Sequence, residues 1–251
     1  AQNVQASVKP ISVSEPSLRN ANVNVAILGG HYVALTETPL PVKFDRMTLH
    51  TLGTLDYQDD LPKSRCWESA HPHRDASRKE TLNYLVQYGN PSYYILYRLA
   101  DHSLQRDTVA KIPVEKPAYM HSFAVTKNYV IFTEFPLIVD PRDLLTSGKP
   151  FICHFKWEPQ RGTRLIVIDR ADGKLIGTYF TESFFSFHHV NAFEEEDRIH
   201  LDIVCYQNAN VIQGIANHFK ESSCQIYKPF FPSFLKRFTV TLSNGDITAK
   251  T

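Results

Sequence analysis

The sequence has no CxxC pair. Its four cysteines, Cys66, Cys153, Cys205 and Cys224, stand far apart along 251 residues. That spacing excludes a zinc ribbon or finger and a disulfide-framed miniature fold. Reduced thiols in a cytoplasmic protein are the simplest reading of them. No apolar run approaches the roughly 18 residues that a membrane-spanning helix needs. There is no basic run interleaved with aromatics, and the formal net charge is only +1, so nucleic acid is not an expected partner. The polar start, rich in Ser, Asn and Gln, lacks the apolar core of a signal peptide. Residues 1–20 read as a mobile or edge segment. No Pro/Gly-rich linker or low-complexity tract interrupts the rest of the chain, and residues 1–251 read as one continuous domain.

What is present is strand. Asn22 to Leu28 alternates polar and apolar residues, Gly29-Gly30 makes a turn, Tyr32 to Leu35 forms a second strand, and Pro41 begins a third. Further strands are expected at Thr81–Tyr88, Tyr93–Leu99, Phe123–Thr126, Tyr129–Glu134, Ile152–Trp157, Leu165–Asp169, Leu175–Phe180, Arg198–Tyr206 and Phe234–Leu242. Helix is expected only at Leu104–Ala110 and Asn208–Lys220. A repeat runs through this pattern. Phe44-Asp45-Arg46 with Leu52-Gly53 matches Ile168-Asp169-Arg170 with Ile176-Gly177, and Val240 to Ile247 is a shorter cousin with an Asn-Gly turn. Recurring hairpins of short strands suggest an all-β array of blades, with a sandwich or barrel the alternative on period alone.

Eleven histidines are a mild excess. His71 in Ala70-His71-Pro72-His73, His121 in Met120-His121-Ser122-Phe123 and His188 in Phe187-His188-His189 each sit beside structural punctuation, with His154 a less clear case. In an extended chain adjacent side chains point to opposite faces, so His188 and His189 cannot serve one centre together. Ligands spaced 50 or more residues apart suit a site assembled from separate blades. Neutral imidazoles there bind Fe, Cu, Ni or Zn. Each donates its second ring N–H to an acceptor, and Glu37, on the strand ending Ala34 to Pro39, is suited to that task.

These stretches resemble the carotenoid cleavage oxygenase family, which includes the retinal pigment epithelium isomerase. The resemblance is carried by Asn22 to Val25, Ala34 to Glu37, Ala70 to Asp75, Met120 to Val130, Gly162 to Arg164, Phe187 to Glu194 and Asp202 to Tyr206, in family order. It implies a seven-bladed β-propeller, here an incomplete one of about four to five blades. It also implies a ferrous ion, Fe(2+), held by histidines, and a reaction in which dioxygen, O2, splits a C=C double bond of a carotenoid or apocarotenoid into two carbonyls. His71, His121 and His188 match three of the family's four ligands, and Glu37 matches one of its supporting glutamates. His189 and His73 are left off the metal, and no side chain is required as a general base.

The family's fourth histidine lies beyond Thr251, so the chain reads as the middle of a longer enzyme, and an inactive fragment is one alternative. A stilbenoid-cleaving enzyme and an ester isomerohydrolase are two others. The expected partner is an apolar polyene. Pro229 to Phe238, apolar with a basic end, suggests peripheral membrane contact for an otherwise cytoplasmic protein, against a plain blade-entry strand from Phe234.

Overall fold

The computed structural model describes residues 20–146, 150–220 and 231–251. The expectation for residues 1–20 therefore lies outside the described residues except for its last position, as do Cys224, Pro229 and Phe230. The chain divides into two compact units, Ala1–Pro117 with Val139–Lys156, and Ala118–Ile138 with Trp157–Thr251.

The first unit holds two antiparallel meanders. One orders β1 (Asn24–Leu28), β2 (His31–Leu35), β3 (Val42–Phe44) and β4 (Thr51–Thr54) consecutively. The other contains β5 (Cys66–Glu68), β6 (His73–Asp75), β7 (Glu80–Gln87), β8 (Ser92–Ala100) and β9 (Arg106–Val114), with both β5 and β6 paired to β7. β7 is buried along almost its whole length, as a central strand covered on both faces must be. Leu28, Val33, Leu35, Leu55, Tyr57, Ala70 and Leu99 form one core cluster. The helix expected at Leu104–Ala110 is absent: Arg106 begins β9. Its guanidinium is 0 % exposed, paired with Asp59 at 2.8 Å and Glu68 at 3.2 Å, and packed over the Tyr57 ring at 4.1 Å. The short helix α1 (Asp143–Thr146) and a 3₁₀ turn at Phe151–His154 complete the unit. That turn replaces the first part of the strand expected at Ile152–Trp157, of which Lys156–Trp157 is strand, since Cys153 and Phe155 close it by donating to the Pro150 and Ile152 carbonyls.

The second unit also holds two meanders. The first orders β10 (Ala124–Val125), β11 (Tyr129–Glu134), β14 (Thr163–Asp169) and β15 (Leu175–Thr181), with the two-residue strands β12 (Leu137–Ile138) and β13 (Lys156–Trp157) falling between β11 and β14 in sequence. The second orders β16 (His189–Glu195), β17 (Arg198–Tyr206), β18 (Ser233–Thr241) and β19 (Ile247–Lys250). Helix α2 (Asn210–Lys220) follows β17, as expected. β18 is the third strand of its sheet, not its entry strand. Phe123 against Phe132 at 6.1 Å and Phe184 against Phe238 at 4.9 Å fill the interior.

Four meanders of four or five strands, one after another along the chain, are propeller blades, and the fold class is the all-β propeller. The sequence repeat is the outer hairpin of three of them. Asp45, Asp169 and Thr241 each donate their N–H to the carbonyl five residues on, at 2.9, 2.8 and 2.9 Å. Each also accepts the N–H of the residue four positions on, at 2.8, 2.9 and 2.8 Å. Those fourth residues, Leu49, Gly173 and Gly245, all have positive φ, 60°, 77° and 79°. The Asp45 carboxylate also accepts the Met47 and Thr48 N–H groups, and that of Asp169 accepts from Ala171. The second glycine of the repeat marks a strand irregularity: Gly53 and Gly177 lie opposite Lys43 and Val167, where the register of each hairpin shifts.

Candidate metal centre

His121 sits on the segment Ala118–Phe123 that leads into β10. Ala118 bridges to Ile138, Tyr119 donates its N–H to the Leu137 carbonyl at 2.8 Å, and Met120 and Phe123 are buried. His188 occupies the corresponding place, immediately ahead of β16. Phe185 is bridged to Tyr206 by two backbone hydrogen bonds, and the His188 carbonyl accepts from the Val204 N–H at 3.2 Å and the Ser186 hydroxyl at 3.2 Å. A register shift in β16 between His189 and Asn191 leaves Val190 turned outward, the local device by which strands re-aim neighbouring side chains.

The two imidazoles meet. Their ring centroids are 5.1 Å apart at 84°, and a ring nitrogen of each lies within 4.8 Å of the other's. Nitrogens bound to a common ion at about 2.0–2.2 Å are spaced in this range. Desolvation, and then the neighbouring His121, lower the pKa of His188, so it favours the neutral form that a metal needs. Aromatic rings flank His121, while His188 is exposed: Phe187 stands edge-on to His121 at 5.5 Å, Phe185 to Phe187 at 4.9 Å, and Tyr119 stacks on His121 at 6.4 Å. The donor set is uncharged and borne on rigid strand entries, which fits a divalent ion with positions left for other ligands.

His189 faces the other way, as the alternation of an extended chain requires. Its Nδ1 lies 2.8 Å from Ser122 Oγ and its Nε2 lies 2.7 Å from Thr133 Oγ1. Both ring nitrogens are thus engaged within the protein. Of the remaining histidines, His200 lies in β17 and bonds Thr239 at 2.9 Å, and His154 is buried in the 3₁₀ turn. Burial pushes the Cys66 and Cys205 thiols up to about 12, which keeps both protonated at neutral pH.

His71 belongs to the first unit and is carried by an arch between β5 and β6. Glu68 pairs with Leu85 and His73 with Leu82, so Ser69 to Pro72 oppose only Asn83 and Tyr84. Pro72 has no N–H to offer a ladder. The Ser69 N–H still donates to the Tyr84 carbonyl at 3.2 Å, and side chains hold the rest: Asn83 Nδ2 donates to the Ser69 carbonyl at 2.8 Å, Asn24 Nδ2 donates to the Ala70 carbonyl at 2.9 Å, and the His71 N–H donates to Ser69 Oγ at 3.2 Å. Ala70 is 0 % exposed and anchors the arch in the core. Glu37 lies two residues past the end of β2, not on it. It neighbours β7: burial first, and the Glu37 carboxylate second, hold the Tyr84 and Tyr88 phenols well above their usual range.

Each predicted ligand therefore precedes a strand by one to three residues, His71 before β6, His121 before β10 and His188 before β16. Ser122 and Thr133 are not singled out by the sequence. The one signal for Thr133 is a hydroxyl at the end of the apolar run Val130-Ile131-Phe132.

Known proteins share this architecture. The chain matches the model of the retinal pigment epithelial membrane protein family over residues 4–251. The mitochondrial carotenoid-cleaving dioxygenase of Macaca fascicularis is 31% identical over 243 residues, which is 89% of this chain and 43% of that protein. Carotenoid cleavage dioxygenase 8 of Arabidopsis thaliana, chloroplastic, is 32% identical over 70% of this chain and 31% of its own length. A Synechocystis apocarotenoid oxygenase mutant superposes with a TM-score of 0.74 at 22% identity, covering 92% of this chain and 48% of that one. Lignostilbene dioxygenase of Pseudomonas brassicacearum gives 0.73 at 24% identity over 95% and 49%. The chain spans less than half the length of these relatives. The match along nearly its whole length places it in the retinal pigment epithelial membrane protein family, the family of the carotenoid-cleaving dioxygenases.

Proposed function

We propose that the chain is part of a non-haem iron(II) dioxygenase that cleaves a C=C double bond of a carotenoid or apocarotenoid to carbonyl products. The observation that carries this reading is the facing pair His121 and His188, held at the entries of β10 and β16 beside Phe187. By the family resemblance His71, carried on the Ser69–Pro72 arch, would be a third imidazole ligand, and Glu37 would accept the second N–H of a ligating ring. A ferrous ion bound by these residues would supply the activation of dioxygen. The chain's own work is to keep three neutral donors in place, to exclude water with Tyr119, Phe185 and Phe187, and to offer an apolar wall to a polyene. No side chain is needed to move a proton. Peripheral membrane contact belongs to the same reading, because Phe234 and Leu235 are 50% and 57% exposed.

The test is anaerobic Fe(II) loading of the chain, and of His71→Ala, His121→Ala and His188→Ala variants, followed by turnover under labelled dioxygen. Stoichiometric iron in the parent, lost in each variant, with label in both carbonyl products of an apocarotenal, is the expected result. Cleavage confined to a stilbenoid moves the substrate class. An isomerised ester without label assigns the isomerohydrolase reaction. A folded chain that holds no iron leaves the inactive-fragment reading standing.

A further inference from the structure

Ser122 follows His121 and His189 follows His188, and these two residues are bonded to each other. Ser122 Oγ accepts the His189 backbone N–H at 3.0 Å and lies 2.8 Å from its Nδ1. Thr133 Oγ1 lies 2.7 Å from Nε2, so in the neutral ring one hydroxyl receives the ring hydrogen and the other donates to the bare nitrogen. Ser122 is 5 % exposed and Thr133 0 % exposed. A buried network with every member satisfied is rigid, and removing one member strands the others. Thr133 sits in β11, in register with Leu165 at the centre of its sheet, so the chain of bonds ends on a fixed point.

We propose that Ser122, His189 and Thr133 form a positioning device that sets the spacing between the His121 and His188 imidazoles. It acts on the backbone next to each ring. Two segments 67 residues apart in sequence are fixed by one imidazole read at both of its nitrogens. This inference rests on the reading that His121 and His188 bind a metal.

The test titrates Co(II) into the full chain and follows its visible absorption bands, alongside thermal unfolding. Thr133→Val and Ser122→Ala are expected to bind Co(II) about tenfold more weakly, the scale found for residues that orient metal ligands, and with altered band intensities, while still melting cooperatively. Thr133→Ser, which keeps the hydroxyl, is expected to restore both. Parent affinity and an unchanged spectrum in Thr133→Val and Ser122→Ala would overturn the proposal while leaving the metal reading intact. Loss of the fold together with the metal in both variants would also overturn it, since the bonds would then hold the blade and not the spacing. Absence of Co(II) bands that depend on His121 in the folded parent would remove the metal reading and this inference with it.

Discussion

Leu49 occupies the turn position that Gly173 occupies in a hairpin with the same backbone closure, and it does so at φ 60° against 77°. A left-handed conformation costs a residue with a Cβ roughly 1–2 kcal/mol. Leu49 offsets little of that by burial, being 72% exposed. Leu49→Gly is therefore expected to stabilise the chain by about 0.5–1 kcal/mol after glycine's greater freedom when unfolded is subtracted. Gly173→Leu is expected to act in the opposite direction. Midpoints in urea at constant slope measure both.

Arg106 is the centre of a buried charged group. Arg106→Met leaves Asp59 and Glu68 without their cation in the core, which is expected to cost about 3–5 kcal/mol. The loss should be smaller at pH 5 than at pH 8, because stranded carboxylates there can take up protons. Equal losses at both pH values in chemical denaturation would show that the two acids are not what the guanidinium neutralises.

Asp202 and Arg237 pair across β17 and β18 with two hydrogen bonds of 2.7 and 2.8 Å. The hydrogen bond from Arg237 holds the Asp202 carboxyl below its usual pKa. A lowered carboxylate pKa contributes stability above the unfolded value, about 3.9, and loses it as the pH falls through the folded value. Asp202→Asn is thus expected to be less stable than the parent at pH 7 by under about 1 kcal/mol, since the guanidinium is half exposed. The difference should close on acidification below pH ~4, as denaturation curves across the pH range would show.

Phe234 and Leu235 precede a pair of cations already committed elsewhere, Lys236 to Glu182 and Arg237 to Asp202. Contact with a bilayer through this end of β18 would be apolar in character. Phe234→Ser/Leu235→Ser is expected to reduce co-sedimentation with neutral phosphatidylcholine vesicles several-fold, with little dependence on salt. Co-sedimentation that the double variant leaves unchanged would place any membrane contact elsewhere.

The parts of this fold legible in sequence are those fixed by local chemistry. The Asp45 and Asp169 turns announce themselves because an aspartate and the N–H groups of the next few residues make the same bonds wherever they occur. β9 reads as helix in sequence because the burial of Arg106 depends on Asp59 and Glu68, 47 and 38 residues away. β16 escapes notice because its polar His189-to-Glu195 run carries a register irregularity that spoils the alternation. Among the site residues, His71, His121 and His188 emerge through resemblance to a family, since their spacing alone fits several metals. Ser122 and Thr133 are hidden for the reason that hides Arg106: their partner His189 lies 67 and 56 residues downstream.

The arch that carries His71 leaves β7 unbroken beneath it. Because Glu68 and His73 are each tied to that strand on either side of the gap, a residue added or removed between them would lengthen or shorten the reach of the imidazole without unzipping the sheet. The depth at which this histidine is presented is thus an adjustable quantity, separable from the stability of the scaffold on which it stands.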